Sequence, residues 1–264
     1  MSTKILFFCA SVIFVSACSS IHTLYARYSY SFNTLESDKR IHYEKGAEDI
    51  AKLVKENLDV CIDDVVKKEY VPFANLSAID VYIFNDYQRY VSFSNTKGGR
   101  AGSSENDIYI SPKVRNSLDS LPSIVTHELS HIHLRQYVGS WKTVYGIPAW
   151  FKEGLAVTTS NGAGAEGVSR NEAITFIQQG RHFDPSERVG VFNVKYANDY
   201  GLKAHMFYRQ AWLFVDYLKE SNSPAFEKCF NGLILGEKFD DIWVKYYGNS
   251  IAKLWDEFKT MIRT

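Results

Sequence analysis

The sequence predicts an α+β fold, in which a first part with strands and helices is followed by a nearly all-helical second part. Residues 79–84 and 108–111 are short runs of β-branched and aromatic residues, which are typical of strands. From about residue 120 onward, apolar residues recur instead at the spacing of amphipathic helices. The chain of 264 residues has ample length for one large domain or two small ones.

The charge balance argues against a polyelectrolyte partner. Thirty basic residues match thirty acidic ones, and no basic stripe runs along the chain. Proteins that bind DNA or RNA usually carry such a stripe or a strong net positive charge. We therefore expect no nucleic-acid partner.

The first residues have the pattern of an export signal. Lys4 supplies a positive charge, and residues 5–15 form an uncharged, mostly apolar run that is shorter than a membrane span. The run leads into Val15-Ser16-Ala17-Cys18, which resembles the bacterial lipobox. The resemblance implies cleavage before Cys18 and acylation of its sulfur and freed amine, which gives a stable anchor. The alternative is an ordinary signal peptide that is cut near Ala17.

These features predict a signal peptide over residues 1–17, and lipidated Cys18 with a tether over residues 18–40. Ser19 stands where lipoproteins of the inner membrane usually carry aspartate. In a diderm cell this favours the outer membrane, with the protein facing the periplasm. Cys9 leaves with the signal peptide. In this oxidising compartment Cys61 and Cys229 are equally compatible with a disulfide or with two buried thiols.

The part over residues 41–145 is predicted to hold the strands and the first helices. Apolar residues recur at helical spacing over residues 42–70, and Asp86 can cap a short helix after the strand at 79–84. Residues 97–102 form a glycine-rich turn before the strand at 108–111, which Pro112 ends. A helix then begins near Ser120-Leu121-Pro122 and ends by Gly139.

The part over residues 146–264 is predicted to be helical. Pro148 begins its first helix, and a glycine-rich, flexible loop follows over residues 160–168. Ser169 and Glu172 form a capping box for a helix that ends at Gly180. Further helices are predicted over residues 202–220, 224–231, 239–247 and 250–262.

The residues with the clearest chemistry are His127 and His131. Four residues apart on a predicted helix, they lie on one face, one turn from each other, and can bind a single divalent ion. Glu153, on the helix after the next turn, is the best candidate for a third ligand. Catalytic zinc sites have three protein ligands and one open position for water. The sequence therefore predicts one Zn²⁺ ion held by His127, His131 and Glu153.

Glu128 lies next to a ligand and projects about 100° around the helix from it. It can accept the proton of the attacking water and pass it to the leaving amine, which is worth about 10²–10⁴-fold in rate. His133, two residues beyond His131, points away from the ion. We expect it at the surface or behind the ligands.

Two segments together resemble the gluzincin metallopeptidases of the peptidase MA-like superfamily, distant relatives of thermolysin and the aminopeptidase N group. These are His127-Glu128-Leu129-Ser130-His131 and Pro148-Ala149-Trp150-Phe151-Lys152-Glu153-Gly154-Leu155-Ala156. The resemblance implies a thermolysin-like zincin core with a small mixed sheet, and it assigns Glu153 as the third zinc ligand. It extends from about residue 79 to the C-terminus.

The same resemblance implies two further site residues. Tyr208 fits the tyrosine that stabilises the oxyanion in many gluzincins, although it also lies on a helical core stripe; His205 is an alternative donor. Gly102-Ser103-Ser104-Glu105-Asn106 loosely resembles the substrate strand of aminopeptidases, which makes Gly102 and Glu105 candidates for substrate binding. The plainer interpretation of Glu105 is a turn before the next strand.

The expected function is hydrolysis of peptide bonds in an envelope protein or peptide by a membrane-anchored zinc metallopeptidase. One alternative is a non-catalytic, zinc-stabilised module for envelope assembly or binding, and another is an amidohydrolase that acts on cell-wall peptides. The sequence leaves open the natural substrate, endo- or exopeptidase action and the oligomeric state.

Overall fold

The computed structural model describes residues 30–94, 97–187, 190–191 and 193–263. The predicted signal peptide, the lipobox with Cys18 and the first part of the tether lie outside these residues. Within the described chain, no helix has both the length and the apolar character needed to cross a membrane.

The chain divides into two compact units. The segment that ends at Glu56 joins Ile79–Leu118 in one unit, here called the sheet unit, and Asn57–Ala78 joins Asp119–Thr264 in the other, here called the helical unit. The five described strands all belong to the sheet unit. The α+β class predicted from the sequence is therefore confirmed.

The sheet unit contains a mixed five-stranded sheet. Its strands are β1 (Asn33–Thr34), β2 (Ile41–Tyr43), β3 (Asp80–Ile83), β4 (Ala101–Ser104) and β5 (Asp107–Ile110), in the spatial order β1-β2-β3-β5-β4. Strands β2, β3 and β5 run parallel, and the two edge strands are antiparallel to their neighbours. The two predicted strands are β3 and β5, which lie side by side within the sheet. Sequence patterning missed β1 and β2, which have only two and three residues.

Two helices accompany the sheet in the sequence. Helix α1 (Glu48–Glu69) begins later than predicted, because the residues at 42 and 43 pair in β2 instead. Helix α2 (Tyr87–Ser94) is capped as predicted, since the Arg89 amide donates to Asp86 Oδ1 at 2.8 Å. The core of the sheet unit contains an aromatic cluster with four fully buried rings: Phe84, Tyr90, Phe93 and Tyr109.

The helical unit holds the helices predicted after residue 120. They are α3 (Leu121–Val138), α4 (Ser140–Tyr145), α5 (Ala149–Thr159), α6 (Arg170–Gln178), α7 (Ala204–Ser221), α8 (Ser223–Ile234), α9 (Phe239–Tyr247) and α10 (Ile251–Met261). Short 3₁₀ turns occupy Leu76–Ala78, Pro112–Ser120 and Ala197–Tyr200. The predicted end signals act as expected: α3 ends at Gly139, Pro148 precedes α5, and Ser169 Oγ accepts the Glu172 amide of α6.

Helices α5 and α7 pack closely in the core of this unit. A Cβ atom on Gly154 of α5 would lie 2.7 Å from the carbonyl oxygen of Ala211 and 2.7 Å from Val215 Cγ2, both on α7. Only glycine therefore permits this approach. Around the contact pack large buried side chains that include Trp150, Phe151, Phe214 and Trp243.

The two cysteines that the structure describes are free. Cys61 and Cys229 are both buried, and their Sγ atoms contact the carbonyl oxygens of Pro122 and Ile242. Burial raises the pKa of both thiols. Of the two possibilities left open by the sequence, the structure supports buried thiols.

Candidate metal centre

The three predicted ligands converge in the helical unit. His127 and His131 lie one turn apart on α3, and their Nε2 atoms are 3.2 Å from each other. Glu153 lies on α5, and its Oε2 is 3.5 Å from each of these nitrogens. All three side chains are largely shielded from solvent. Two helices that are separate in sequence thus bring three metal-ligating atoms to one point.

The spacing of these atoms fits a tetrahedral divalent ion. Ligand distances of about 2.0–2.1 Å place two atoms of a tetrahedral shell about 3.3 Å apart. The distances between the Nε2 atoms of His127 and His131 and Oε2 of Glu153 are 3.2, 3.5 and 3.5 Å. Glu153 Oε2 is buried and has no hydrogen-bond partner among the described residues, and one nitrogen of each histidine lies 3.5 Å from it. The residues therefore fit a metal ion.

The charges of the site favour a cation. Burial opposes ionisation of Glu153, but the adjacent His131 and His127 outweigh it and hold the pKa of this carboxyl far below its usual range. Burial also opposes protonation of His127, yet contact with Glu153 and the charge of Glu128 raise the pKa of this ring. The pocket thus stabilises positive charge between the three side chains, either as protons or as a bound ion.

Glu128 lies outside the ligand group, as predicted. It is buried on α3, and its charge raises the pKa of both His127 and the Tyr208 hydroxyl. Glu128 is therefore within electrostatic range of both the ligand His127 and Tyr208.

Tyr208 lies at the site on α7. Its ring centroid is 6.2 Å from that of His127, and the charge of Glu153, followed by burial, raises the pKa of its hydroxyl. The hydroxyl therefore stays protonated at neutral pH and can donate a hydrogen bond. Tyr208 also packs against the main core cluster, so the core position considered from the sequence is observed together with a position beside His127.

The glycine-rich loop after α5 covers the same two rings. Gly164 has φ +89°, and a Cβ atom there would lie 2.9 Å from the Tyr208 ring and 3.4 Å from His127 Cε1. His205 Nδ1 is 2.8 Å from the Gly164 carbonyl oxygen, and Arg209 donates to the Ala165 carbonyl oxygen. His205 therefore holds the loop, and its exposed ring does so through Nδ1.

Gly102 and Glu105 belong to the sheet unit. Gly102 lies in β4, and Glu105, with φ 51°, is one of two residues in the tight turn that joins β4 to β5. Of the two interpretations of Glu105, a turn or part of a substrate strand, the turn is the one observed. The three metal ligands belong to the helical unit.

His133 is not at the surface. It is completely buried, and its two ring nitrogens face a carboxylate of Glu69 and the carbonyl oxygens of Val71 and Pro72. Of the two positions expected for His133, at the surface or behind the ligands, the structure excludes the surface. Its partner Glu69 lies 64 residues away in sequence, so no local pattern indicates the pairing. Tyr196 was also missed: the charge of Glu153 contributes to its raised pKa, after burial, so it lies within electrostatic range of the site.

Comparison with known proteins gives no family for this chain. No family model matches it, and no curated protein matches it either.

Proposed function

We propose that this protein is a zinc-dependent metallopeptidase of the gluzincin type, with a thermolysin-like core. The observation that carries the proposal is the convergence of His127, His131 and Glu153 at tetrahedral spacing. Two nitrogens and one carboxylate oxygen form the donor set of many catalytic zinc sites, in which a fourth position stays open for water. When bound, zinc supplies Lewis-acid polarisation and lowers the pKa of a water ligand to roughly 7.

Residues of the chain itself carry out the proton transfer and stabilise the oxyanion. Glu128 accepts a proton from the attacking water and returns it to the leaving amine. The protonated Tyr208 hydroxyl donates a hydrogen bond to the oxygen that becomes negative as the carbonyl is attacked. The loop at Gly164 packs on His127 and Tyr208.

The proposed setting is the cell envelope. The lipobox-like sequence that ends at Cys18 supports export and a lipid anchor, with the outer membrane facing the periplasm as the proposed location. Peptides or proteins of that compartment are the proposed substrates. A base beside the metal ligands favours catalysis over a purely structural site, which needs none and is usually closed by four ligands.

The decisive experiment compares the purified chain with its Glu128→Gln variant. We expect one zinc per chain in both proteins, and a loss of about 10²–10⁴-fold in the cleavage of a broad peptide library by the variant. The matched control is Glu172→Gln on α6, an exposed glutamate whose replacement removes the same charge. Full activity in Glu128→Gln would exclude the proposed base.

The same preparation separates the rival functions. Bound zinc without cleavage of any peptide or of casein would support a non-catalytic module. Release of fragments from purified peptidoglycan, with casein left intact, would support an amidohydrolase of cell-wall peptides.

A further inference from the structure

Behind the metal ligands lies a second polar cluster, centred on Glu69. This residue ends α1, and it is completely buried in the helical unit. Its Oε1 accepts hydrogen bonds from Ser130 Oγ at 2.5 Å and Thr159 Oγ1 at 2.9 Å, and its Oε2 is 2.6 Å from His133 Nδ1. One carboxylate thus holds three side chains, here called the Glu69 cluster.

The partners of Glu69 belong to the two helices that carry the metal ligands. Ser130 and His133 lie on α3, on either side of His131 in sequence. Thr159 is the last residue of α5, the helix of Glu153. A single carboxylate oxygen, Oε1, therefore bridges the two ligand helices directly, through Ser130 on one and Thr159 on the other.

The polar groups of the Glu69 cluster all have hydrogen-bond partners. His133 Nε2 faces the carbonyl oxygens of Val71 and Pro72 at 3.0 and 3.3 Å, which accept but cannot donate, so this nitrogen carries a hydrogen. The ring also stacks on Phe230, with an angle of 4° between the planes. A buried carboxylate that lost one of these donors would be left partly unsatisfied, which is costly in a low-dielectric interior.

We propose that Glu69 is a positioning residue of the metal centre. Its carboxylate sets the separation of α3 and α5, and through it the distances from Glu153 to His127 and His131. Among the described residues, the side-chain hydrogen bonds of Glu69 go to Ser130, His133 and Thr159 and not to a metal ligand, so it acts on metal affinity through the two helices. This inference rests on the proposed metal site.

The sheet unit supplies a matched control. Glu44 is also a buried glutamate with several partners: its Oε2 accepts the amides of Asn85 and Asp86, and its Oε1 is 2.9 Å from Arg89 Nε. Replacing it disrupts a comparable polar cluster in the unit that contains none of the three ligands. A general loss of stability would affect Glu44→Gln and Glu69→Gln alike, whereas positioning would affect zinc affinity only in the latter.

The test measures Zn²⁺ affinity by competition with a chelator, on the purified full-length chain, with urea unfolding in parallel. Thr159→Val removes one hydroxyl while keeping the shape of the side chain, and Thr159→Ser keeps the hydroxyl. We expect zinc affinity to fall about tenfold in Thr159→Val, by about 10–100-fold in Glu69→Gln, and to stay within twofold in Thr159→Ser and Glu44→Gln.

The outcomes are separable. Equal zinc affinity in Thr159→Val, Thr159→Ser and the unchanged chain would overturn the inference, and so would an equal loss in Glu44→Gln. Should Thr159→Val fail to fold, Ser130→Ala removes the other donor to the same oxygen and takes its place. If the unchanged chain binds no zinc, the proposed function itself fails, whereas unchanged affinity in the variants alone removes only the role of Glu69.

Discussion

The two faces of helix α3 use histidine in opposite ways. On one face, His127 and His131 bring their Nε2 atoms within 3.2 Å of each other and within 3.5 Å of Glu153. On the other face, both nitrogens of His133 are bonded to acceptors, and its ring is fully buried. The residue type and the helix are the same, and the difference lies in what surrounds the nitrogens.

This contrast indicates what makes a histidine a ligand. Two neutral imidazole nitrogens 3.2 Å apart repel each other unless a proton or a metal cation lies between them. The buried carboxylate of Glu153, 3.5 Å away, further favours positive charge at this point. At His133 a protein group takes the place of the ion, because Glu69 Oε2 lies 2.6 Å from Nδ1 of the ring. The face of α3 that carries His127 and His131, here called the metal face, can therefore take up a cation or a proton between its nitrogens. The opposite face, here called the Glu69 face, is satisfied by protein groups alone.

The strongest test of this difference between the two faces is to remove one histidine from each. His131→Ala deletes one of three ligands, and we expect zinc affinity to fall by more than the roughly 10–100-fold that groups behind the ligands contribute. His133→Ala leaves Glu69 as a buried charge without its partner, and we expect the free energy of unfolding to fall by about 3–5 kcal/mol. Metal analysis and urea unfolding of both variants check these results.

The two variants should separate cleanly. Without zinc present, His131→Ala should lose less stability than His133→Ala, because His127 remains beside the buried Glu153. A variant His133→Ala that loses all zinc at full stability would show that the division between the two faces is wrong.

A smaller effect is expected at the edge of the metal face. Tyr208→Phe removes the hydroxyl and keeps the ring beside His127, so zinc content and stability should change little. If the hydroxyl stabilises the developing oxyanion, kcat should fall by about 10²–10³-fold, equivalent to about 3–4 kcal/mol. The measurement is steady-state cleavage of one library peptide, and a change in KM with kcat intact would indicate that Tyr208 only binds substrate.

The sequence predicted the metal face far better than the Glu69 face. His127, Glu128 and His131 are neighbours in one helical pattern, and Glu153 follows in the next segment, so short-range periodicity was enough to group them. Glu69 and His133 are 64 residues apart, and each on its own resembles an ordinary polar residue of a helix. The same limit applies to β1 and β2, which exist through pairing with partners and not through patterns of their own. The helices after residue 120 were predicted because their caps and apolar stripes are local.

The smallest effect is expected next to a ligand, on the side of α5 that packs against α7. Gly154→Ala adds a methyl group 2.7 Å from the Ala211 carbonyl oxygen, which is backbone and cannot rotate away. Overpacking of this kind costs about 1–3 kcal/mol in the free energy of unfolding, and urea unfolding measures it. Because Gly154 is not a metal ligand, zinc should still bind at one ion per chain. The matched change Ala156→Gly on the same helix should also lower the free energy of unfolding, but without adding atoms between α5 and α7. Loss of zinc in Gly154→Ala at unchanged stability would mean that packing between α5 and α7, and not the Glu69 cluster alone, sets the position of Glu153.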